Sequence, residues 1–257
     1  MRGSSTNKDF ASTLAKGLAV LNAFGPEHPR LTLKEIAGIT GLSKTTAHRL
    51  THTLVHLGYL HHDTRSKLFQ LGSQILTLGA RVIQTLDLRQ IARPVMERAF
   101  SELGVTMDLA ILDREWMVII YRREAMDAVN LRLPIGTRLD FHCTALGKAA
   151  LSALPPEELE SALSHINLEK KTSRTLTNPR ALRKDLERTR KRGYSVSNEE
   201  YVQGMVAVGA SLINIEGRVL GAVSFSFPVW TISVAEMEKR YAHHVVELAR
   251  SISLQLM

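Results

Sequence analysis

The stretch Leu31-Thr32-Leu33-Lys34-Glu35-Ile36-Ala37-Gly38-Ile39-Thr40-Gly41-Leu42-Ser43-Lys44-Thr45-Thr46-Ala47-His48-Arg49-Leu50, with its continuation to Gly72, decides the fold. Leu33, Ile36 and Ala37 recur at helical spacing, so a two-turn helix buries one narrow stripe. Gly41 ends it, because a glycine just past a helix accepts the left-handed conformation and lets the chain turn sharply. A second helix follows from Lys44 to Leu57, started by Ser43 as a cap or as an early helical residue. On it Ala47, Leu50, Leu54 and Leu57 share one face, opposite Thr45, His48, Arg49, His52 and His56. Tyr59-Leu60 and Leu68-Phe69-Gln70-Leu71 then form a hairpin around a polar tip holding Arg65 and Lys67. Two short helices joined by a glycine turn and followed by a hairpin are the outline of a winged helix-turn-helix.

That outline predicts contact with duplex DNA. A helix in the major groove needs donors for base edges and phosphates, and Ser43, Lys44, Thr45, Thr46, His48 and Arg49 supply them at its N-terminal end. Arg49 has the donor fork that pairs bidentately with guanine. Arg65 and Lys67 on the wing are placed for phosphates beside the groove. A solvated polar face is the plainer reading of the same helix, and a helix that contacts only protein is another. His48, His52 and His56 stand four residues apart, as metal-binding histidines on a helix do, but no acid or thiol nearby completes a site, so no metal is expected.

Charge agrees with the DNA reading. The 257-residue chain carries a formal +8, of which residues 1–86 hold 10 Lys and Arg against 4 Asp and Glu, a net +6. The remainder holds 23 against 21, a net +2. The basic excess therefore lies where phosphate attraction requires it. At 44% hydrophobic residues the chain can bury the cores of two domains. One cysteine, Cys143, excludes an internal disulfide framework, and the polar stretch Met1 to Lys8 lacks a signal peptide's hydrophobic core. With no apolar run long enough for a bilayer, the expectation is a cytoplasmic protein without a membrane partner.

Around the central motif, Leu14, Leu18, Leu21 and Phe24 predict an apolar stripe on a first helix that Gly25-Pro26 stops. Ser73 to Leu86 reads as a linker helix with a surplus of apolar residues, packing on a second subunit or on its own C-terminal domain. Asp87 caps a further helix toward Leu103, with Pro94 as a kink or as the true start. Strands are expected at Met107–Leu112, Trp116–Tyr121, Val129–Leu133, Val206–Ile213 and Val219–Phe225. Helices are expected at Ala145–Leu154, Pro156–Leu163, Pro179–Arg192 and Ala235–Leu254. The third of these is crowded with Arg and Lys, and reads as a solvated amphipathic helix in preference to a second DNA-binding surface. Cys143 beside His142 invites a thiol-nucleophile reading, but neighbours on a strand point to opposite faces and no third orienting group is evident. No catalytic residue and no cofactor are assigned.

Leu14-Ala15-Lys16-Gly17-Leu18-Ala19-Val20-Leu21, Thr32 to Ala37, Gly41 to Leu50 and Leu57-Gly58-Tyr59-Leu60 together resemble the IclR family of bacterial transcription regulators. The resemblance continues through Leu71-Gly72, Thr144-Ala145-Leu146-Gly147-Lys148-Ala149, Arg192 to Glu200 and Ala222 to Pro228, and so covers nearly the whole chain. Ser43 stands where many members carry proline, and Phe227 where glycine is frequent. Leu14 to Phe24 and Glu27-His28-Pro29 look most like the branch that regulates aromatic-acid catabolism.

The resemblance implies an α+β protein in three parts. Residues 10–72 form the winged helix-turn-helix, 73–86 a linker helix, and 87–257 a GAF-like α/β effector-binding domain with an antiparallel sheet. It implies an effector pocket carried by Ala145, Leu146, Ser197, Met205, Ala207, Ser224 and Ser226. Backbone N–H groups at the helix start near Thr144 to Gly147 suit an acid. Bulky Leu146 and Met205 suit an aromatic or branched ligand over a two-carbon one. The expected partners are palindromic operator DNA, a small organic acid and a second copy of the chain, as homodimer or dimer of dimers. A small-molecule hydrolase with an appended DNA-binding domain is the alternative.

Overall fold

The computed structural model describes residues 10–125 and 133–256, and the chain divides into one compact unit ending at Thr85 and another beginning at Leu86. Among the described residues no helix is long and apolar enough to cross a membrane.

The N-terminal unit starts with α1 (Ser12–Asn22), β1 (Leu31–Thr32), α2 (Leu33–Thr40) and α3 (Lys44–His56). It continues through β2 (Leu60–Asp63), β3 (Leu68–Leu71) and α4 (Ser73–Thr85). Thr32 and Glu35 close a reciprocal cap on α2: the Glu35 amide donates to Thr32 Oγ1 at 3.3 Å, and the Thr32 amide to Glu35 Oε2 at 2.7 Å. Gly41 takes φ 67° and turns the chain into α3. Ser43 is the N-cap of α3, its hydroxyl accepting from the Thr46 amide at 3.3 Å, so serine does by hydrogen bonding what proline does by restricting φ. β3 pairs antiparallel with both β1 and β2. Val20, Phe24, Leu31, Ile36, Leu60 and Phe69 form the core of this unit.

Three expected apolar positions lie elsewhere. Leu14 and Leu18 are 63% and 51% exposed, because α1 turns Val20 and not this pair into the core. Leu57 is the C-cap of α3 and 52% exposed, while Thr51 is buried, its hydroxyl satisfied by the His48 carbonyl at 3.0 Å. α4 buries none of its residues, and Leu76, Leu78 and Val82 are exposed.

The C-terminal unit holds α5 (Asp87–Leu103), β4 (Thr106–Asp113), β5 (Trp116–Arg123), β6 (Arg138–Asp140), α6 (Ala145–Ala153) and α7 (Pro156–His165). α8 (Pro179–Arg192), β7 (Ser195–Asn198), β8 (Met205–Ile213), β9 (Val219–Pro228) and α9 (Val234–Ser253) complete it. The sheet is antiparallel throughout, in the order β6-β5-β4-β9-β8-β7. Residues of alternate parity on its strands serve two cores. Met107, Leu109, Val208, Val223 and Phe225 join the core with α5 and α9, whereas Ala110, Met117, Ile119 and Ala222 join the one with α6 and α8.

Leu86, not Asp87, occupies the N-cap of α5, and Pro94 lies inside the helix, which rules out Pro94 as its start. The strand expected at 129–133 falls, except for Leu133, outside the described residues, and Leu133 itself is not in a strand. Both edge strands, β6 and β7, escaped the periodicity argument, being three and four residues long and largely polar. Phe227 packs on Tyr241 of α9, ring centroids 4.7 Å apart, which explains its bulk at a position where glycine is frequent.

Candidate functional site

Two surfaces in separate units gather the residues singled out by sequence. At 100° per residue, the buried side of α3 lies along Ala47, Leu50, Thr51 and Leu54, so Thr45, Arg49, His52 and His56 point farthest from the core. Lys44, Thr45, His48 and Arg49 are exposed. Ser43 and Thr46 are engaged with each other, hydroxyl oxygens 2.9 Å apart, so their first task is to start the helix. Lys44 and His48 lean toward the wing and line a cleft of about 530 Å³ with Lys34, His52, His62 and Lys67.

The wing is shaped by Asp63, whose carboxylate accepts from the Arg65 amide at 2.9 Å and the Ser66 hydroxyl at 2.6 Å. These bonds hold the Asp63 carboxyl below its ordinary range. Lys67 adopts φ 60°, and both Arg65 and Lys67 are exposed. Lys34, His62 and Thr64 belong to the cleft although sequence spacing did not select them; Lys34 comes from the first turn of α2, and the β2–β3 hairpin brings His62 and Thr64. His48 and His52 stack with centroids 6.5 Å apart, and among the described residues no group of three or more metal-ligating side chains converges.

In the C-terminal unit, a cavity of about 60 Å³ opens between the sheet and the start of α6. Its wall includes Ala145 and Leu146 from α6, Ser197 from β7, Met205 and Ala207 from β8, and Ser224 and Ser226 from β9. Cross-strand register explains the convergence. Ser197 pairs with Ala207, Ala207 with Ser226, and Ser226 with Thr106, so four strands place these residues in one row on one face. The neighbouring row runs Ser195, Gly209, Ser224, Asp108, Arg122.

Several close approaches seat α6 over these rows. Thr144 caps it, its hydroxyl accepting from the Gly147 amide at 3.1 Å. A Cβ on Gly147 would lie 2.4 Å from the Phe141 backbone, and one on Gly209 would lie 2.9 Å from the Ala145 carbonyl oxygen, so only glycine lets helix and sheet meet so closely. The Ser195 and Ser197 hydroxyls donate to the carbonyls of Ala145 and Cys143 at 2.6 and 2.8 Å. Ser197 thus reaches the cavity with its proton already committed. The Ser226 hydroxyl is buried with no hydrogen-bond partner among the described residues.

Three polar members of the wall, Asp108, Thr144 and Tyr201, were not among the pocket residues that the resemblance implied. Asp108 is 3% exposed, and its carboxylate accepts from Arg122 Nη1 at 2.6 Å. Burial raises its carboxyl above the ordinary range, against the pull of Arg122. Burial likewise raises the Tyr201 phenol, which stays a donor. A lone acid inside an expected run of apolar residues was the available signal for Asp108.

Lys148, 1% exposed, ties the cavity's supports together. Its Nζ lies 2.7 Å from Glu200 Oε1 and 2.9 Å from Asp185 Oδ2, joining α6 to the segment after β7 and to α8. Burial pushes the Glu200 carboxyl up, opposed by Lys148. Asp185 is therefore turned inward from the basic helix. Arg190 caps the carbonyls of Ser152 and Leu154, Arg183 pairs with Glu160, and Arg192 with Glu238. Much of α8's charge holds the domain together.

Cys143 is fully buried, and burial, with Asp140 and Glu200 nearby, pushes its thiol up to about 12, the opposite of an activated nucleophile. His142 is bound through Nε2 to the Glu169 carbonyl, 2.9 Å away. The thiol-catalysis reading has no geometric support.

Comparison with known proteins assigns both units. Residues 13–64 match the IclR helix-turn-helix domain, and residues 80–254 match the family described as bacterial transcriptional regulator IclR C-terminal. The chain is 30% identical over 249 residues to the Pca regulon regulatory protein of Pseudomonas putida, covering 96% of this chain and 85% of that one. An IclR family transcriptional regulator from Brucella abortus has a similar structure, with TM-score 0.81 at 31% identity over 100% of this chain and 97% of that one. An IclR homologue from Microbacterium hydrocarbonoxydans, solved as a complex with 4-hydroxybenzoate, gives TM-score 0.79 at 27% identity, covering 95% of this chain and 98% of that one. The named relatives are regulators, with no enzyme family among them.

Proposed function

The chain belongs to the IclR family of bacterial transcriptional regulators, with an N-terminal DNA-binding helix-turn-helix and a C-terminal ligand-binding domain, and on that premise we propose that it controls a catabolic operon in response to a small organic acid. The observation that carries this reading is the convergence of seven residues from four elements, α6, β7, β8 and β9, on one cavity at the start of α6. There the first-turn amides of a helix N-terminus favour an anion, and Ser226 offers a hydroxyl without a partner among the described residues.

An aromatic acid is the favoured effector, supported by the 4-hydroxybenzoate complex of the Microbacterium relative. The cavity of about 60 Å³ is smaller than the roughly 150 Å³ that accommodates benzene in a protein interior. An aromatic acid therefore enters as side chains such as Met205 and Leu146 withdraw. The same size favours a second reading, a two- or three-carbon acid that fits with less movement.

Lys44, Thr45, His48 and Arg49 of α3 meet base edges, started by Ser43 and Thr46, while Arg65 and Lys67 meet phosphates. The protein works as a homodimer or dimer of dimers on a palindromic operator, in the cytoplasm. The exposed apolar faces of α1 and α4 suit that assembly. Ligand acts by binding two quaternary arrangements with different affinity, changing how two recognition helices are presented.

The test is selection of bound duplexes from a random pool, followed by titration of the selected duplex with and without candidate acids. A palindromic consensus whose affinity changes with one acid is expected. No sequence enrichment, or an affinity indifferent to every acid, refutes the corresponding half of the reading.

A further inference from the structure

The cavity is chemically two-ended. At the α6 end lie backbone donors, the Ala145 and Leu146 amides of the first turn, beyond the Thr144 hydroxyl that serves the Gly147 amide. On the sheet side stands Asp108, paired across the strands with Ser224 and with Arg122. Most of the wall between is apolar. A buried ion pair such as Asp108 with Arg122 stabilises a sheet no better than apolar residues of similar size, so packing alone does not call for it.

Arg122 is no landing place for a ligand carboxylate. Its Nη1 is held by Asp108 at 2.6 Å and its Nε by Glu124 at 2.8 Å. A second carboxylate at that end meets the charge of Asp108 in a low-dielectric setting, whereas a hydroxyl or amine finds an acceptor. The two ends thus orient a ligand, acid toward α6 and donor toward the sheet.

Resting on the effector-pocket reading above, we propose that Asp108 is a specificity-determining residue of the cavity, selecting acids that carry a hydrogen-bond donor at the end remote from their carboxylate. Hydroxy and amino acids meet this requirement. Unsubstituted acids leave the carboxylate of Asp108 without that bond, and ethers oppose it with an acceptor.

The experiment is calorimetric titration of the full chain with two matched series. The aromatic series is 4-hydroxybenzoate, 4-aminobenzoate, benzoate and 4-methoxybenzoate; the aliphatic series is the three-carbon pair 3-hydroxypropionate and propionate. Donor-bearing members of one series bind on the order of tenfold to a hundredfold tighter than their donor-free partners. Asp108→Asn, checked for an intact melting transition, narrows that ratio and improves the standing of the methoxy compound, since the amide supplies a donor. Should the variant fail to fold, the ratio in the unaltered protein decides. Equal binding within each pair removes the role of Asp108 and leaves the effector reading standing. Absence of binding by every donor-bearing acid removes both.

Discussion

Replacing Lys148 by methionine keeps the stem and removes the charge, leaving Glu200 and Asp185 facing a buried apolar group. At 2.7 and 2.9 Å, and with an effective dielectric near 20, each Coulomb attraction is about 6 kcal/mol before the cost of desolvating the ions is subtracted. Removing one partner from a buried pair has a net cost of about 3–5 kcal/mol, and Lys148 is 1% exposed. The melting temperature of the C-terminal unit should fall by roughly 6–20 °C.

The pH dependence carries the sharper test. Burial already raises the Glu200 carboxyl, and loss of Lys148 raises it further. A carboxyl whose folded value lies above its unfolded one favours the fold when protonated. That contribution is present in full below the unfolded value and is lost as pH rises through the folded value. The Lys148→Met defect is therefore smaller at about pH 5 than at about pH 8, with each point referred to the unaltered protein at the same pH. Urea unfolding followed by circular dichroism at both values measures it. A defect below about 1 kcal/mol, or one equal at the two pH values, refutes the claim that an electrostatic clamp holds these three elements.

Arg49→Ala should cost about tenfold to a hundredfold in operator affinity at unchanged thermal stability, measured by fluorescence anisotropy, since Arg49 points away from the core. Lys67→Ala should weaken binding to all sequences alike and reduce the salt slope by about one; a sequence-dependent effect contradicts a phosphate role. Ser226→Leu places a bulky group in the cavity wall and should abolish the response to effector while leaving DNA affinity intact; a retained response removes Ser226 from the site. The Cys143 thiol, buried and raised to about 12, should resist thiol reagents at neutral pH in the native protein and react once unfolded. Prompt native labelling counts against its burial.

The elements legible in the sequence were those built from neighbouring residues. Gly41, Ser43 and the Leu33-Ile36-Ala37 stripe specify the turn between α2 and α3 through local backbone and capping energetics, and Asn178-Pro179 with Gly193 mark both ends of α8 in the same way. The basic bias of the first unit is likewise a property of composition. The family resemblance pointed to the seven residues of the cavity; spacing along the chain puts Ser224 and Ser226 on one strand face but does not bring β7, β8, β9 and α6 together.

Tertiary structure decided the rest because side-chain environment depends on partners far along the chain. Periodicity places Leu14 and Leu18 on a stripe yet cannot say that α1 turns Val20 inward. The edge strands β6 and β7 exist through pairing with β5 and β8, having too little alternation to announce themselves. Asp108 becomes a cavity residue only through antiparallel register that sets it beside Ser224 and Arg122, and Asp185 turns from a surface charge into a half-buried partner only where α8 meets Lys148. Local sequence determines where the chain turns and which residues are polar; register and packing determine which of those polar residues meet.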